Sequence, residues 1–423
     1  MQFIRTTGRS KQKAATLLAA LERRSSTALE TVEPAVRKIL RDVRTKGDIA
    51  LQRYAAKFDS LATLPIRISE EETAAAWRDL DPTLKAALQI AAKQIRAFAQ
   101  RQLPKPWSTS PVKGLTTGQL VRPLDAVGCY VPGGRHPLPS TMLMTAIPAQ
   151  VAGVPRIAVV SPRPAPETLA TAHLLGVSEF YRIGGAHAVA ALAYGTAAIP
   201  RVQKIVGPGN LYVTAAKRAV SATGDCAIDM LAGPTEIVVT SEFGIPSGIA
   251  SDLVAQAEHD PEAVAIFLTT NETLAQAVLA ETKARARQNP VAKQALQRNG
   301  YIFVTAAAEE AQAITNRLAP EHLTVDSEAD LAWVRNAGSV FIGPYSAQPM
   351  GDYISGPNHT LPTGGLATLR GGLSVNDFVK LITVQQYDAN ALNTLGPQAI
   401  RLAQAEGLTA HAQAIEARLT NKP

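Results

Sequence analysis

Cysteine is almost missing from this chain: Cys129 and Cys226 are the two in 423 residues. Two thiols exclude a disulfide framework and a cysteine-built zinc site, and they suit a reducing cytoplasm. Aromatic residues are scarce as well, at 5%. The net charge of +7 comes from Lys and Arg scattered along the chain, with no dense basic run and little to stack on bases. That pattern argues against nucleic acid as the partner and suits a small anionic ligand such as a dinucleotide. Long apolar runs are lacking too. The most apolar stretch, from Pro137 to Pro155, is interrupted by Pro139, Pro148 and Gln150, short of the roughly 20 unbroken residues a membrane helix needs. It predicts a buried helix. The opening M-Q-F-I-R-T-T-G-R-S-K-Q-K has no apolar segment of export-signal length, so a cytoplasmic protein without membrane contact is expected.

What is present belongs to a globular protein, with 46% apolar and 18% charged residues. Single cores stop growing near roughly 250–300 residues, so at least two domains are expected. From about 11 to 103 apolar residues recur every three or four positions, as in A-V-R-K-I-L-R-D-V, which predicts helices. Ser69 with Glu72 has capping-box spacing, and Asp81 before Pro82 reads as an N-cap. Beyond about 120, short β-branched runs alternate with Ala-rich stretches: R-I-A-V-V-S, E-F-Y-R-I-G, Q-K-I-V-G, E-I-V-V-T-S, A-I-F-L-T-T, Y-I-F-V-T and S-V-F-I-G. Alternation of this kind predicts βαβ units, hence an α/β fold of two doubly wound, mostly parallel sheets divided near G-D-C-A-I-D-M-L-A-G-P-T. The tail after about 382 reads as helices joined at Gly407.

The chain has seven histidines, few enough to weigh singly. In Q-A-E-H-D-P, Gln256 and His259 stand three apart on a predicted helix, where one face can hold one ion; a polar helix end before Pro261 explains them equally well. G-D-Y-I-S-G-P-N-H-T-L-P-T-G-G puts Asp352 and His359 in a Gly- and Pro-rich loop, the type of segment on which α/β proteins carry function. With His411 these residues would form an N/O zinc site. In A-P-E-H-L-T, Glu321 and His322 are an acid/base pair if a turn after Pro320 brings both to one cleft, since neighbours on a strand face opposite ways. V-G-P-G-N places Gly207, Gly209 and Asn210 between a strand and a helix, where the backbone can approach a phosphate, although the spacing is not that of a dinucleotide fingerprint. C-Y-V-P-G-G is a second glycine-turned loop, with Tyr130 available to stack on a ring.

Taken together, G-C-Y-V-P-G-G, G-G-A-H-A-V-A-A-L-A-Y-G-T, V-G-P-G-N-L-Y-V-T-A-A-K-R, D-M-L-A-G-P-T-E-I, Q-A-E-H-D-P, A-P-E-H-L, G-D-Y-I-S-G-P-N-H-T-L-P-T and A-E-G-L-T-A-H resemble the histidinol dehydrogenase family, in family order from about 120 to 415. The resemblance implies a zinc- and NAD-dependent enzyme that oxidises L-histidinol through L-histidinal to L-histidine. It also implies a cytoplasmic homodimer whose tails complete each other's sites. Zinc falls to Gln256, His259, Asp352 and His411, and acid/base work to Glu321 and His322. Tyr130, His187 and Asn210 would meet NAD, and Thr235, His359 and Glu406 would join the zinc ligands and His322 around the substrate. Three positions depart from the usual pattern: His187 stands for Gln, Thr235 for Ser, and Gln348-Pro349 for Pro-Glu. The domains implied are 1–20 as an extension, 21–128 with 235–380 as a first Rossmann-like domain, 129–234 as a second, NAD-contacting one, and 381–423 as a helical tail reaching the partner. A relative acting on another small polar alcohol is the alternative.

Overall fold

The runs Glu236–Thr240, Val264–Thr269 and Gly300–Val304 are buried along their whole length, as strands of a parallel sheet covered on both faces must be. The computed structural model describes residues 1–24, 29–61, 65–133, 137–231 and 233–420, so Gly134 and Ala232 of the quoted motifs lie outside it. Six parallel strands form one sheet in the order Gln2–Arg5, Gly300–Val304, Val264–Thr269, Glu236–Thr240, His322–Val325, Ser339–Ile342. Alternate residues feed opposite faces: Ile237 and Val239 pack under the helix Pro246–Ala257, while Val238 packs beneath Ala308–Leu318. A second parallel sheet of five strands runs Glu179–Tyr181, Arg156–Val160, Ala126–Tyr130, Lys204–Val206, Ala227–Ile228. All seven runs singled out in the sequence are strands. The stretch from Pro137 contains the buried helix Pro139–Ala152.

The N-terminal region differs from the expected division. Gln2–Arg5 is an edge strand of the six-stranded sheet. The helices Leu29–Lys46 and Asp48–Phe58 pack on the five-stranded sheet, and so do Glu70–Asp79 and Pro82–Gln102 on its other side. A helix stripe records that a face is buried and not which sheet buries it. Asp81 caps its helix as expected, accepting from the Thr83 and Leu84 amides. Ser69 accepts from the Glu72 amide, but the Glu72 carboxylate turns to Arg182 rather than closing the box.

The tail is not all helix. Val379–Tyr387 pairs antiparallel with Leu115–Pro123, itself paired to Trp107–Val112. Beyond it, Ala389–Ala405 and Thr409–Thr420 fold on each other, with Leu419 and Ile415 against Gly396.

Candidate active site

The two sheets meet so that the carboxyl ends of the second face the amino ends of strands Glu236–Thr240 and His322–Val325 in the first. Between them lies a cleft of about 610 Å³. One wall is the turn Gly207 to Asn210, which follows strand Lys204–Val206; the other holds Thr235, Gln256, His259, Glu321, His322, Asp352 and His359. Gln256 and His259 reach it from the end of helix Pro246–Ala257, while Glu258 turns away to Asn289.

The Glu321–His322 geometry starts with Ala319, whose left-handed φ of 45° ends the helix Ala308–Leu318. The strand then begins at His322, so Glu321 lies just ahead of it and both side chains enter the cleft. Both are buried. Glu321 Oε2 accepts from Thr235 Oγ1 at 2.5 Å and from the Glu236 amide at 2.9 Å. Burial nevertheless raises its pKa to about 7, against the pull of His322 and these two donors. His322 Nδ1 lies 3.3 Å from the Glu236 carbonyl oxygen and 3.6 Å from Glu321 Oε2. A proton on Nδ1 satisfies the carbonyl and leaves the Nε2 lone pair facing the cleft. Burial lowers the affinity of this imidazole for a proton, but Glu321 and Asp352 outweigh it and the pKa is raised.

Asp352, on the short helix Pro349–Tyr353, has Oδ1 3.7 Å from His322 Nε2. Its Oδ2 accepts from Gln348 Nε2 at 3.1 Å, so the departure at Gln348 supplies a neutral donor behind this carboxylate. Burial pushes the Asp352 pKa up, yet the hydrogen bond and charge of His322 prevail and it is lowered. His359 pairs through Nδ1 with the Asp352 carbonyl at 2.9 Å, and burial lowers its pKa.

Among the described residues no three His, Cys, Asp or Glu side chains lie close enough to hold a metal ion. The cleft does bring His259 and Asp352 together with Gln256. The Gln256 amide nitrogen donates to Thr235 Oγ1, and its oxygen is buried without a hydrogen-bond partner. An orphaned buried acceptor is costly, and a cation beside it would relieve that cost. These three groups fit zinc, one short of a tetrahedral set.

Tyr130, His187, Glu406 and His411 lie outside this cleft. Tyr130 is buried, its hydroxyl accepting from the Gly185 amide at 2.9 Å, and burial raises its pKa to about 12. It supports the glycine turn rather than lining the cleft. His187 is buried too, with Nε2 2.7 Å from Asp59 Oδ2 and its ring near Tyr54 and Phe58. Glu406 and His411 are exposed on the tail. Asn210 lies in the cleft, its Oδ1 capping helix Leu211–Ala222 through the Tyr212 and Val213 amides.

The sequence reading missed Glu236. Its carboxylate is buried, bound to Arg24 at 2.5 Å and to the Gly364 amide at 3.0 Å. A charged residue opening the apolar run E-I-V-V-T was the available signal. A second cavity, of about 660 Å³, opens at the carboxyl ends of strands Glu236–Thr240 and His322–Val325. There Asp326 accepts from the Glu242 and Phe243 amides and the Ser241 hydroxyl at 2.7, 3.3 and 2.5 Å. The donors a phosphate would need are taken, which directs attention to the cleft between the sheets.

A buried carboxylate and imidazole face a glycine-turned loop across a cleft between two parallel sheets, an α/β architecture with its candidate site between the sheets. The chain belongs to the histidinol dehydrogenase family, oxidoreductases of histidine biosynthesis: the family model matches residues 22–419. It is 45% identical over 418 residues to histidinol dehydrogenase of Bacillus anthracis, covering 96% of this chain and 97% of that one. To the enzyme of Geobacillus kaustophilus (strain HTA426) it is 46% identical over 412 residues, covering 95% and 97%. The crystal structure of histidinol dehydrogenase from Elizabethkingia anophelis superposes with a TM-score of 0.93 at 36% identity, covering 99% of this chain and 98% of that one.

Proposed function

We propose that the protein is a zinc- and NAD-dependent histidinol dehydrogenase, oxidising L-histidinol through L-histidinal to L-histidine in the cytoplasm. The observation that carries this reading is Glu321 beside His322, both buried and both opening on the cleft that holds the orphaned Gln256 oxygen. Gln256, His259 and Asp352 would hold zinc, with His411 of a second copy as the fourth ligand and Glu406 of that copy beside the substrate. A homodimer suits the tail, where Leu381, Ile382, Val384 and Tyr387 leave apolar side chains exposed on both faces of a strand in the single chain. The two buried free thiols suit a reducing compartment.

When bound, zinc would grip the imidazole and amine of the substrate and the nicotinamide would accept hydride. The protein's own groups manage the protons. His322 Nε2 takes the hydroxyl proton as the carbon loses hydride, and the Glu236 carbonyl holds the opposite edge of the ring. Glu321, with a pKa near 7, takes a proton from the water that adds to the aldehyde; loss of a second hydride from that hydrate, for which a second NAD would be the acceptor, gives the carboxylic acid, which releases its proton to solvent as the carboxylate. Thr235 orients Glu321, and His359, anchored on the Asp352 carbonyl, closes the wall beside the substrate. A buried cleft keeps bulk water from the aldehyde between steps.

The test is to incubate purified protein with L-histidinol, NAD and zinc and follow nicotinamide reduction, with a chelator-treated control and a panel of other small polar alcohols. Histidinol-dependent, chelator-sensitive reduction is expected; no reduction rejects the reading, and a preference for another alcohol replaces the substrate.

A further inference from the structure

We infer that Lys217 and Asp229 are a positioning pair for the nicotinamide dinucleotide, acting through the backbone of Gly207. The inference rests on the cofactor reading proposed above.

Lys217 lies on helix Leu211–Ala222 and Asp229 on the segment leaving the second sheet toward Thr235. Their side chains form an ion pair and are 3% and 1% exposed. Burying such a pair costs desolvation, and two apolar residues of similar size often serve stability as well or better. What the pair does locally is therefore informative. Lys217 Nζ donates to the Gly207 carbonyl at 2.9 Å, and Asp229 Oδ2 accepts from the Gly207 amide at 2.7 Å. Both polar groups of one residue are thus held by the two partners of one ion pair.

Gly207 opens the turn that forms the cleft wall opposite Glu321 and His322, the wall on which Asn210 would meet the dinucleotide. Its φ is +108°, and a Cβ there would stand 2.2 Å from the Tyr130 carbonyl oxygen. The chain must pass the neighbouring strand closely in a conformation that side chains rarely adopt. The next residues, Pro208 to Asn210, line the cleft. Asp229 lines it as well, and Oδ1 accepts from the Met230 amide at 2.6 Å. Arg370 holds the Asp229 carbonyl from outside. The pair therefore ties the turn to the segment that enters the catalytic strand. It fixes the wall carrying Asn210 relative to the wall carrying Glu321 and His322, and so where a dinucleotide held at the turn would stand.

The test compares Lys217→Met, Lys217→Arg and the double variant Lys217→Met/Asp229→Asn with the wild type. Readouts are KM for NAD and for histidinol, NADH affinity by fluorescence without histidinol, zinc content and Tm. Loss of the Lys217 contacts should raise the KM for NAD and weaken NADH binding about tenfold or more, with histidinol KM and zinc content changed by less than about twofold. Arg should recover part of the loss. The double variant leaves no unpaired buried charge, so it reports even where Lys217→Met fails to fold. A fall in Tm and kcat with both KM values unchanged would mean a purely structural pair and overturn the inference, as would wild-type behaviour throughout. A wild type that reduces no NAD with histidinol defeats the substrate reading alone, because NADH fluorescence still tests the pair; a wild type that binds no NADH defeats both.

Discussion

Thr235 Oγ1 donates to Glu321 Oε2 at 2.5 Å while accepting from the Gln256 amide nitrogen, so one hydroxyl orients both the proposed acid/base carboxylate and a proposed metal ligand. Thr235→Val keeps the shape and removes this link. A hydrogen bond to a charged group contributes about 1.5–3 kcal/mol, so kcat/KM should fall roughly 10- to 100-fold. Its acidic limb should move to higher pH, because Glu321 must be ionised to take a proton and loses a donor that lowers its pKa. Thr235→Ser should stay near wild type. Equal loss in both variants would assign the effect to the methyl group.

Glu321 should make the metal-free protein less stable as pH rises. Its pKa is raised from 4.5 to about 7 by burial, so the folded state favours the protonated acid. That contribution is complete below the unfolded pKa and is lost as pH climbs through about 7. Glu321→Gln cannot ionise. Its stability relative to wild type should therefore increase between pH 5 and pH 8, by on the order of 3 kcal/mol. Urea denaturation at the two pH values measures it; a pH-independent difference would contradict the burial of an ionising acid.

His322→Gln should reduce the first oxidation by about 10²- to 10⁴-fold while the fold survives. Glu321→Gln should instead impair oxidation of supplied histidinal more than that of histidinol. Presteady-state kinetics with each substrate separates the steps. Equal loss in both would remove the division of labour.

His411→Ala and Glu321→Gln should each be nearly inactive, yet mixing them under conditions that exchange subunits should restore activity. In the mixed dimer one site combines an intact Glu321 with the other copy's intact His411. Zinc analysis should show metal lost from His411→Ala. Failure of mixing to restore activity, with exchange verified by mass, would place His411 in its own subunit's site or outside any site.

Much of this was legible in the chain because burial leaves a period in the sequence. E-I-V-V-T and Y-I-F-V-T hold unbroken apolar runs and are strands buried on both faces, and Gln256 shares a cleft with His259, three residues on and just past the end of its helix. Packing partners left no such trace. The helix Leu29–Lys46 gives no sign that it lies on the five-stranded sheet. The strand Val379–Tyr387, exposed along most of its length, carries no pattern of one buried face in this chain. His187 illustrates the same limit: its motif points to the cofactor, while its imidazole is turned inward to Asp59. Glu236 was overlooked because pairing with Arg24 depends on a contact 212 positions away.

The most direct measurement is the stoichiometry of a completed reaction. Zinc-loaded protein is given limiting L-histidinol and excess NAD, and both reduced nicotinamide and histidine are quantified, with an aldehyde trap in a parallel sample. About two NADH per histidine, with little histidinal caught by the trap, is expected if Glu321 and His322 serve successive oxidations in one cleft. One NADH per histidinol, with the aldehyde released and no histidine formed, would contradict it.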